Sequence, residues 1–186
     1  MAAPTDILML TTGNWQYAKR AILALAHRTA DPYRLIVVDS GSGDGTQEIL
    51  TDCVQDGLIS TLVLLPPACR AGDAWKAGIA LVEGDVFIHA SDEWLPPADE
   101  PGWLAVLIEA MARHPQYAFI ALLPSFFPRG RRALEQDGEL ALAPWTEVSF
   151  RAMRRGHGSS SLCDRAGYLL ELKAEYLPRL ALGIWR

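Results

Sequence analysis

Three short polar clusters carry the side chains in this sequence that can do chemistry. Residues 11–14 read Thr-Thr-Gly-Asn, residues 39–46 read Asp-Ser-Gly-Ser-Gly-Asp-Gly-Thr, and residues 91–93 read Ser-Asp-Glu. Carboxylates such as Asp39, Asp44, Asp92 and Glu93 suit a divalent cation, or the N–H donors of a ligand. A Gly/Ser loop lets a ligand approach the backbone closely, and a helix starting after it favours negative charge. A fourth cluster, Arg151, Arg154, Arg155 and His157, stands before Gly158-Ser159-Ser160-Ser161. Guanidinium groups pair bidentately with phosphate and imidazole suits Mn²⁺, so this segment reads as a solvated loop or as a mobile lid over a phosphate-bearing ligand. The loop at 39–46 lacks the Gly-Lys-Ser/Thr of a nucleoside-triphosphate loop and the glycine spacing of a dinucleotide fingerprint.

The elements that must position these clusters alternate. Residues 7–10 are an apolar run, and Ala18, Ala21, Ile22 and Leu25 after them mark one helix face. Residues 35–38 are β-branched-rich and read as a buried strand ending at Asp39. Asp44 with Gln47 has the form of a helix cap, Thr46 being a second candidate, and a short helix through Gln55 follows. Residues 61–65 form a third strand, Trp75, Ile79 and Val82 a helical face, and residues 86–90 a fourth strand. Trp103, Leu104, Leu107, Ile108 and Met111 give another helical stripe, and residues 118–123 a fifth strand. Strands alternating with helices predict an α/β fold with a mostly parallel central sheet flanked by helices. Ligands bind such sheets at the C-terminal strand ends, where the first three polar clusters fall. Beyond residue 126 the pattern weakens: residues 128–132 are a basic turn, residues 151–161 a loop, and residues 167–172 a last strand. Trp15, Trp75, Trp94, Trp103 and Trp145 are mostly core by spacing, while Trp94 and Trp145 lie next to polar turns, where stacking on a ligand ring is the alternative to a core role.

Composition narrows the classes. The 186 residues suffice for one domain. Seventeen Lys and Arg against twenty-two Asp and Glu leave a net charge of −5, which disfavours a general nucleic-acid coat. Cys53, Cys69 and Cys163 are too few and scattered for a disulfide framework or zinc knuckle, so they read as free thiols of a reducing compartment. No run approaches the roughly 18 apolar residues of a membrane span. The start of the chain has no basic region or long apolar run of a signal peptide, and a cytoplasmic protein is expected.

Taken together, four ordered segments resemble family-2 glycosyltransferases of the GT-A fold. Residues 7–14 are similar to the family's opening strand with its Thr-x-Asn turn. Residues 37–46, Val-Val-Asp-Ser-Gly-Ser-Gly-Asp-Gly-Thr, resemble its Val-Asp-x-Gly-Ser-x-Asp-Gly-Thr signature and are the most specific match. Arg70-Ala71-Gly72 with Lys76-Ala77-Gly78 resembles its glycine-bearing loop and helix, and residues 84–96 the strand delivering Asp-x-Asp. The likeness covers residues 5–123, with a weaker echo at 167–179. It implies a single GT-A-like domain over 1–186, with a nucleotide-binding half at about 5–123 and a shortened acceptor half at about 124–186.

The resemblance further implies a nucleotide-sugar donor held by Thr11, Thr12, Asn14, Asp39, Ser40, Gly41, Asp44, Arg70, Gly72, Lys76, Ser91 and Asp92. Thr12 and Asp39 would meet the base, and Asp92 the diphosphate and a Mn²⁺ or Mg²⁺ ion. The sequence departs from the pattern at Ala90, which replaces the first carboxylate of Asp-x-Asp. Glu93 and His157 are the further metal candidates, with His89 a third. No Glu-Asp pair follows the 167–173 strand to act as general base, and Asp164 is the nearest replacement, with Glu147 an alternative. The implied activity is an inverting hexosyl or pentosyl transfer. A nucleotide-binding module without catalysis and a nucleotidyltransferase are the competing readings. The acceptor is open among glycans, lipid carriers, small molecules, proteins and modified nucleic acid.

Overall fold

The computed structural model describes residues 3–67, 69–92, 95–96 and 101–113, and the backbone of two further strands at 119–122 and 150–154. The strands are β1 (Thr5–Thr11), β2 (Tyr33–Asp39), β3 (Thr61–Leu64), β4 (Val86–Ser91), β5 (Phe119–Leu122) and β6 (Phe150–Arg154). The helices are α1 (Trp15–Arg28), α2 (Thr46–Gln55), α3 (Ala71–Ile79) and α4 (Trp103–Arg113). One sheet runs in the order β3-β2-β1-β4-β6-β5. The pairs β1/β2, β1/β4 and β2/β3 are parallel, and β6 is antiparallel to both β4 and β5.

The path of the chain decides where the helices go. It steps outward from β1 to β2 to β3, then returns to place β4 on the other side of β1. Right-handed crossovers put helices on opposite faces when the stepping direction reverses. Accordingly α1 and α2 cover one face and α3 the other. Ile7, Met9, Leu35, Val37, Ile88 and Ala90 meet buried residues of α1, α2 and α4 in the larger core. Leu8, Ile36, Val38 and Phe87 meet Ala74 of α3 in the smaller one. The strands are thus buried on both faces, which explains their unbroken apolar runs. The α3 face is tight. A methyl group on Gly78 would stand 2.5 Å from Leu8 Cδ1, so glycine there sets how closely helix and sheet approach.

The expected helix faces at Ala18, Ala21, Ile22 and Leu25 and at Trp103, Leu104, Leu107 and Met111 are buried as read. Trp103 donates from Nε1 to Thr29 Oγ1 at 3.1 Å. Two expectations need correction. Trp15 is 37% exposed: it is in line with Ala18 and Ile22 but is the first residue of α1, at the open end of the stripe. Residues 150–154 form β6 where a loop was expected. Its pairing with β4 and β5 overrides a composition in which arginines break the apolar pattern. Arg151 and Arg154 therefore stand opposite His89 and Val86 in the sheet, not in a mobile lid. The expected strand at 167–172 and the basic turn at 128–132 lie outside the described residues, as do Arg155, Cys163, Trp94 and Trp145. Cys53 and Cys69 are free, and burial pushes the Cys53 thiol up.

At the N-terminal edge of the sheet, buried Asp6 ties three elements. Its Oδ1 accepts from Arg34 Nε at 2.7 Å, and its Oδ2 from the Glu83 and Gly84 amides at 2.7 and 3.3 Å. Arg34 also donates to the Glu83 carboxylate and to the Leu81 carbonyl. Burial pushes the Asp6 pKa up, but the bonds from Arg34, Glu83 and Gly84 and the guanidinium charge outweigh it and hold the carboxyl below its ordinary value. A depressed folded-state pKa gives stability that is complete at neutral pH. That stability drains as the pH falls from the ordinary carboxylate range through the lowered pKa. Asp6→Asn is expected to cost roughly 2–4 kcal/mol at pH 7 in urea unfolding. The difference from wild type should shrink steadily below pH 4, about the ordinary carboxylate pKa.

Candidate functional site

The register of the central strands assembles the site. Thr11 is paired with Asp39 across β1/β2, and Leu10 with Ser91 across β1/β4, so Asp92 follows in line with Thr11. Side chains alternate along a strand, and Met9, Val37 and Ala90 face the larger core. Two residues further on, Thr11, Asp39 and Asp92 fall on that same side at the C-terminal edge. They form a row across β2, β1 and β4, at the place where the strand order reverses.

Thr11 links the row. Its Oγ1 donates to Asp92 Oδ2 at 2.7 Å, and its carbonyl accepts from the Ser40 amide and hydroxyl at 3.0 and 3.1 Å. Ser91 Oγ reaches Asp92 Oδ1 at 3.3 Å. Asp39 is fully buried. Its Oδ2 accepts from the Gly41 and Ser42 amides at 3.1 and 3.0 Å and from Gln47 Nε2 at 2.8 Å, while Ser42 Oγ donates to Oδ1. The loop 40–47 is thus folded around its own carboxylate. Gln47 turns inward to Asp39 instead of completing a capping box with Asp44. Gly41 has φ +87°, and a Cβ there would stand 2.5 Å from the Pro66 carbonyl oxygen, so glycine is needed on both counts.

Asp44 is exposed and joins two loops. Oδ2 accepts from the Asn14 amide at 2.6 Å, and Oδ1 from the Thr46 hydroxyl and amide at 2.5 and 3.2 Å. The Thr46 hydroxyl is the main reason its pKa lies below the ordinary range, although burial opposes it slightly. This bond fixes the start of α2 from one residue before Gly45, the residue in the cap position. Asn14 is held in the left-handed region at φ 61°, and Gly13 before it at φ 111°.

The N-termini of α1, α2 and α3 all open on this edge. Arg70 occupies the cap position of α3, Gly72 lies in its first turn and Lys76 further along; Arg70, Lys76 and Thr12 are exposed. His89 packs its ring on Trp75 of α3, centroids 4.5 Å apart, on the face opposite Asp92. Glu93, His157, Asp164 and Glu147 lie outside the described residues. Among the described residues no group of three or more His, Cys, Asp or Glu is placed to hold a metal ion.

A pocket of about 230 Å³ opens beside Asp92, lined also by Tyr17, Arg20 and Leu95. Sequence reasoning missed these three, and it missed Ser42 and Gln47 as partners of Asp39. Their only signal is position: Tyr17 and Arg20 lie off the apolar stripe of α1, in the first turns after the 11–14 cluster.

The sequence profile of glycosyl transferase family 2 matches residues 6–167. The chain belongs to this family. A glycosyltransferase of Nostoc sp. is 28% identical over 88 residues, 45% of this chain and 27% of that relative. Among solved structures, the fold is similar to mannosyltransferase PcManGT from Pyrobaculum calidifontis, solved with GDP-Man and Mn²⁺. That match has a TM-score of 0.62 at 17% identity, over 89% of this chain and 49% of the other. S. aureus TarS residues 1–349 give 0.59 at 12% identity, over 86% and 49%. Glucosyl-3-phosphoglycerate synthase from Mycobacterium tuberculosis, solved with Mn²⁺, UDP and glucosyl-3-phosphoglycerate, gives 0.51 at 16%, over 82% and 57%. The chain thus spans about half the length of these solved structures. The α/β sheet with its flanking helices is the GT-A glycosyltransferase fold expected from the sequence.

Asp44→Ala should release the residue 11–14 turn without unfolding the sheet. Amide exchange at Asn14 is expected to accelerate at least about tenfold, a gain of local opening. Because the Asp44 pKa is lowered, the wild-type protection should persist at pH 5, which two-dimensional NMR exchange measurements would check.

Proposed function

We propose that this family-2 glycosyl transferase domain moves a sugar from a nucleotide-diphosphate donor to an acceptor hydroxyl, with inversion and with a divalent cation. The observation carrying this reading is the row Asp39, Thr11 and Asp92 at the strand-order reversal. Three helix N-termini on the same edge suit a diphosphate, since their free amides and dipoles favour negative charge. Arg70 and Lys76 add cationic side chains beside one of them.

In this reading Thr12 and Asp39 receive the base. Ser42 Oγ stands on Asp39 Oδ1, where an imide or amino N–H of the base would bind, and it turns aside on binding. Ser40, Gly41, Asp44 and Asn14 shape the loops around the nucleoside, and Ser91 with Thr11 orients the Asp92 carboxylate. Asp92 fits a Mn²⁺ or Mg²⁺ ion, because such ions take one or two carboxylates and complete their shell with phosphate oxygens and water. Glu93 and His157 are its proposed companions. The cation would neutralise charge on the departing diphosphate. As the acceptor oxygen bonds to the anomeric carbon, the bond to the diphosphate oxygen breaks. The hydroxyl proton passes to a carboxylate, for which Asp164 is the candidate, and the nucleoside diphosphate leaves with the bonding pair.

Ala90 favours a second reading. Where the family pattern has a carboxylate, this side chain is fully buried in the core and offers no ligand. A domain that binds nucleotide sugar without consuming it would have this site.

Thermal melts with UDP, GDP, ADP, CDP and dTDP plus Mn²⁺ test the first reading. A ligand at a hundred times its Kd adds about 2.7 kcal/mol, a rise in Tm of roughly 5–10 °C for a chain of this size. No shift with any of them, the protein being folded, overturns it. Donor turnover should release nucleoside diphosphate and fall about a hundredfold or more in Asp92→Asn. Binding without release would establish the second reading instead.

A further inference from the structure

The pocket at Asp92 does not end at Asp92. A groove of about 510 Å³ runs along the outer side of α1, and Arg20 and Leu95 line both cavities. The groove adds an apolar floor from Trp15 and Leu23 and a basic border from Lys19 and His27. Its size suits a mono- or disaccharide-sized body.

The charge of this helix is one-sided. α1, WQYAKRAILALAHR, contains Lys19, Arg20, Arg28 and His27 and no carboxylate, within a chain of net charge −5. Arg28 is tied back to the Pro96 carbonyl at 3.2 Å. Lys19 and Arg20 form no ion pair or hydrogen bond with the described residues. Ion pairs among the described residues join Arg34 to Asp6 and Glu83, and Arg113 to Glu109, away from the groove. Two cations lining one groove with an exposed indole make a site for a ring that carries an anion. The connection to Asp92 places that ring within reach of the transfer site.

We propose that the groove along α1 binds the acceptor, and that the acceptor is a water-soluble hydroxyl compound carrying a phosphate monoester. The phosphate meets Lys19 and Arg20, the body of the molecule lies on Trp15, and a hydroxyl enters the pocket at Asp92. This inference rests on the glycosyl-transfer reading and names the substrate class that reading left open.

The test uses the full chain saturated with its preferred nucleoside diphosphate and Mn²⁺, so that the donor's own phosphate site is filled. Glucose 6-phosphate and glycerol 3-phosphate are titrated by calorimetry against glucose and glycerol. The phosphate esters are expected to bind at least tenfold more tightly than the neutral compounds. The double variant Lys19→Gln, Arg20→Gln should lose that tenfold preference, and Lys19→Gln alone, at a residue that lines the groove but not the Asp92 pocket, should weaken it while keeping wild-type nucleoside diphosphate affinity. Equal binding of charged and neutral compounds, or a preference unchanged in the variant, overturns the proposal. So does co-sedimentation with phosphatidylserine vesicles that the double variant abolishes, if the soluble esters do not bind. Failure of every nucleoside diphosphate to bind defeats the donor reading instead. The same titrations on the nucleotide-free wild type and variant then still decide whether Lys19 and Arg20 hold a phosphate.

Discussion

A single strand with parallel neighbours on both sides governs this structure. β1 is hydrogen-bonded to β2 along one edge and to β4 along the other, and the pairing on both sides is in step at its C-terminal end. Parallel register leaves no freedom in which side chains share a face: a slip of one residue would turn Asp39 or Asp92 to the opposite side of the sheet. The placement of α3 opposite α1 and α2 follows from the same fact, because the chain must reverse direction to bring β4 beside β1.

The two ends of the sheet treat charge differently. At the N-terminal edge Asp6 is closed off by Arg34 and two amides, so charge is used to fasten strands and the turn before β4. At the C-terminal edge Asp39 is held, among the described residues, by dipoles from amides, a hydroxyl and a carboxamide. That arrangement leaves the local cations, Arg70 and Lys76 at α3 and Lys19 and Arg20 on α1, at the rim.

Much of this was legible in the sequence because apolar periodicity and turn residues agreed. The Val-Val-Asp run and the glycines after it fixed both the end of β2 and the loop beyond it, and the stripe on α1 was read residue for residue. Gln47 shows where reading stopped. Its spacing from Asp44 matches a capping box, yet only the fold reveals that Asp39 lies nearer. β6 was missed because a strand between two others takes its conformation from their edges, and Phe-Arg-Ala-Met-Arg has no strong preference of its own. Tyr17, Arg20 and Leu95 come together through the packing of α1 beside the segment after β4, and no spacing along the chain records that.

The position of β6 has a consequence for how the protein is made. β5 emerges from synthesis before β6, yet among the described residues its neighbour in the sheet is β6. Until residues 150–154 exist, β4 is an open edge strand beside a finished parallel sheet, with unpaired amides and carbonyls along it. Nascent or truncated chains stopping short of β6 therefore expose a template for pairing with another copy. Holding that edge during translation is a demand on the folding environment that the completed sheet no longer makes.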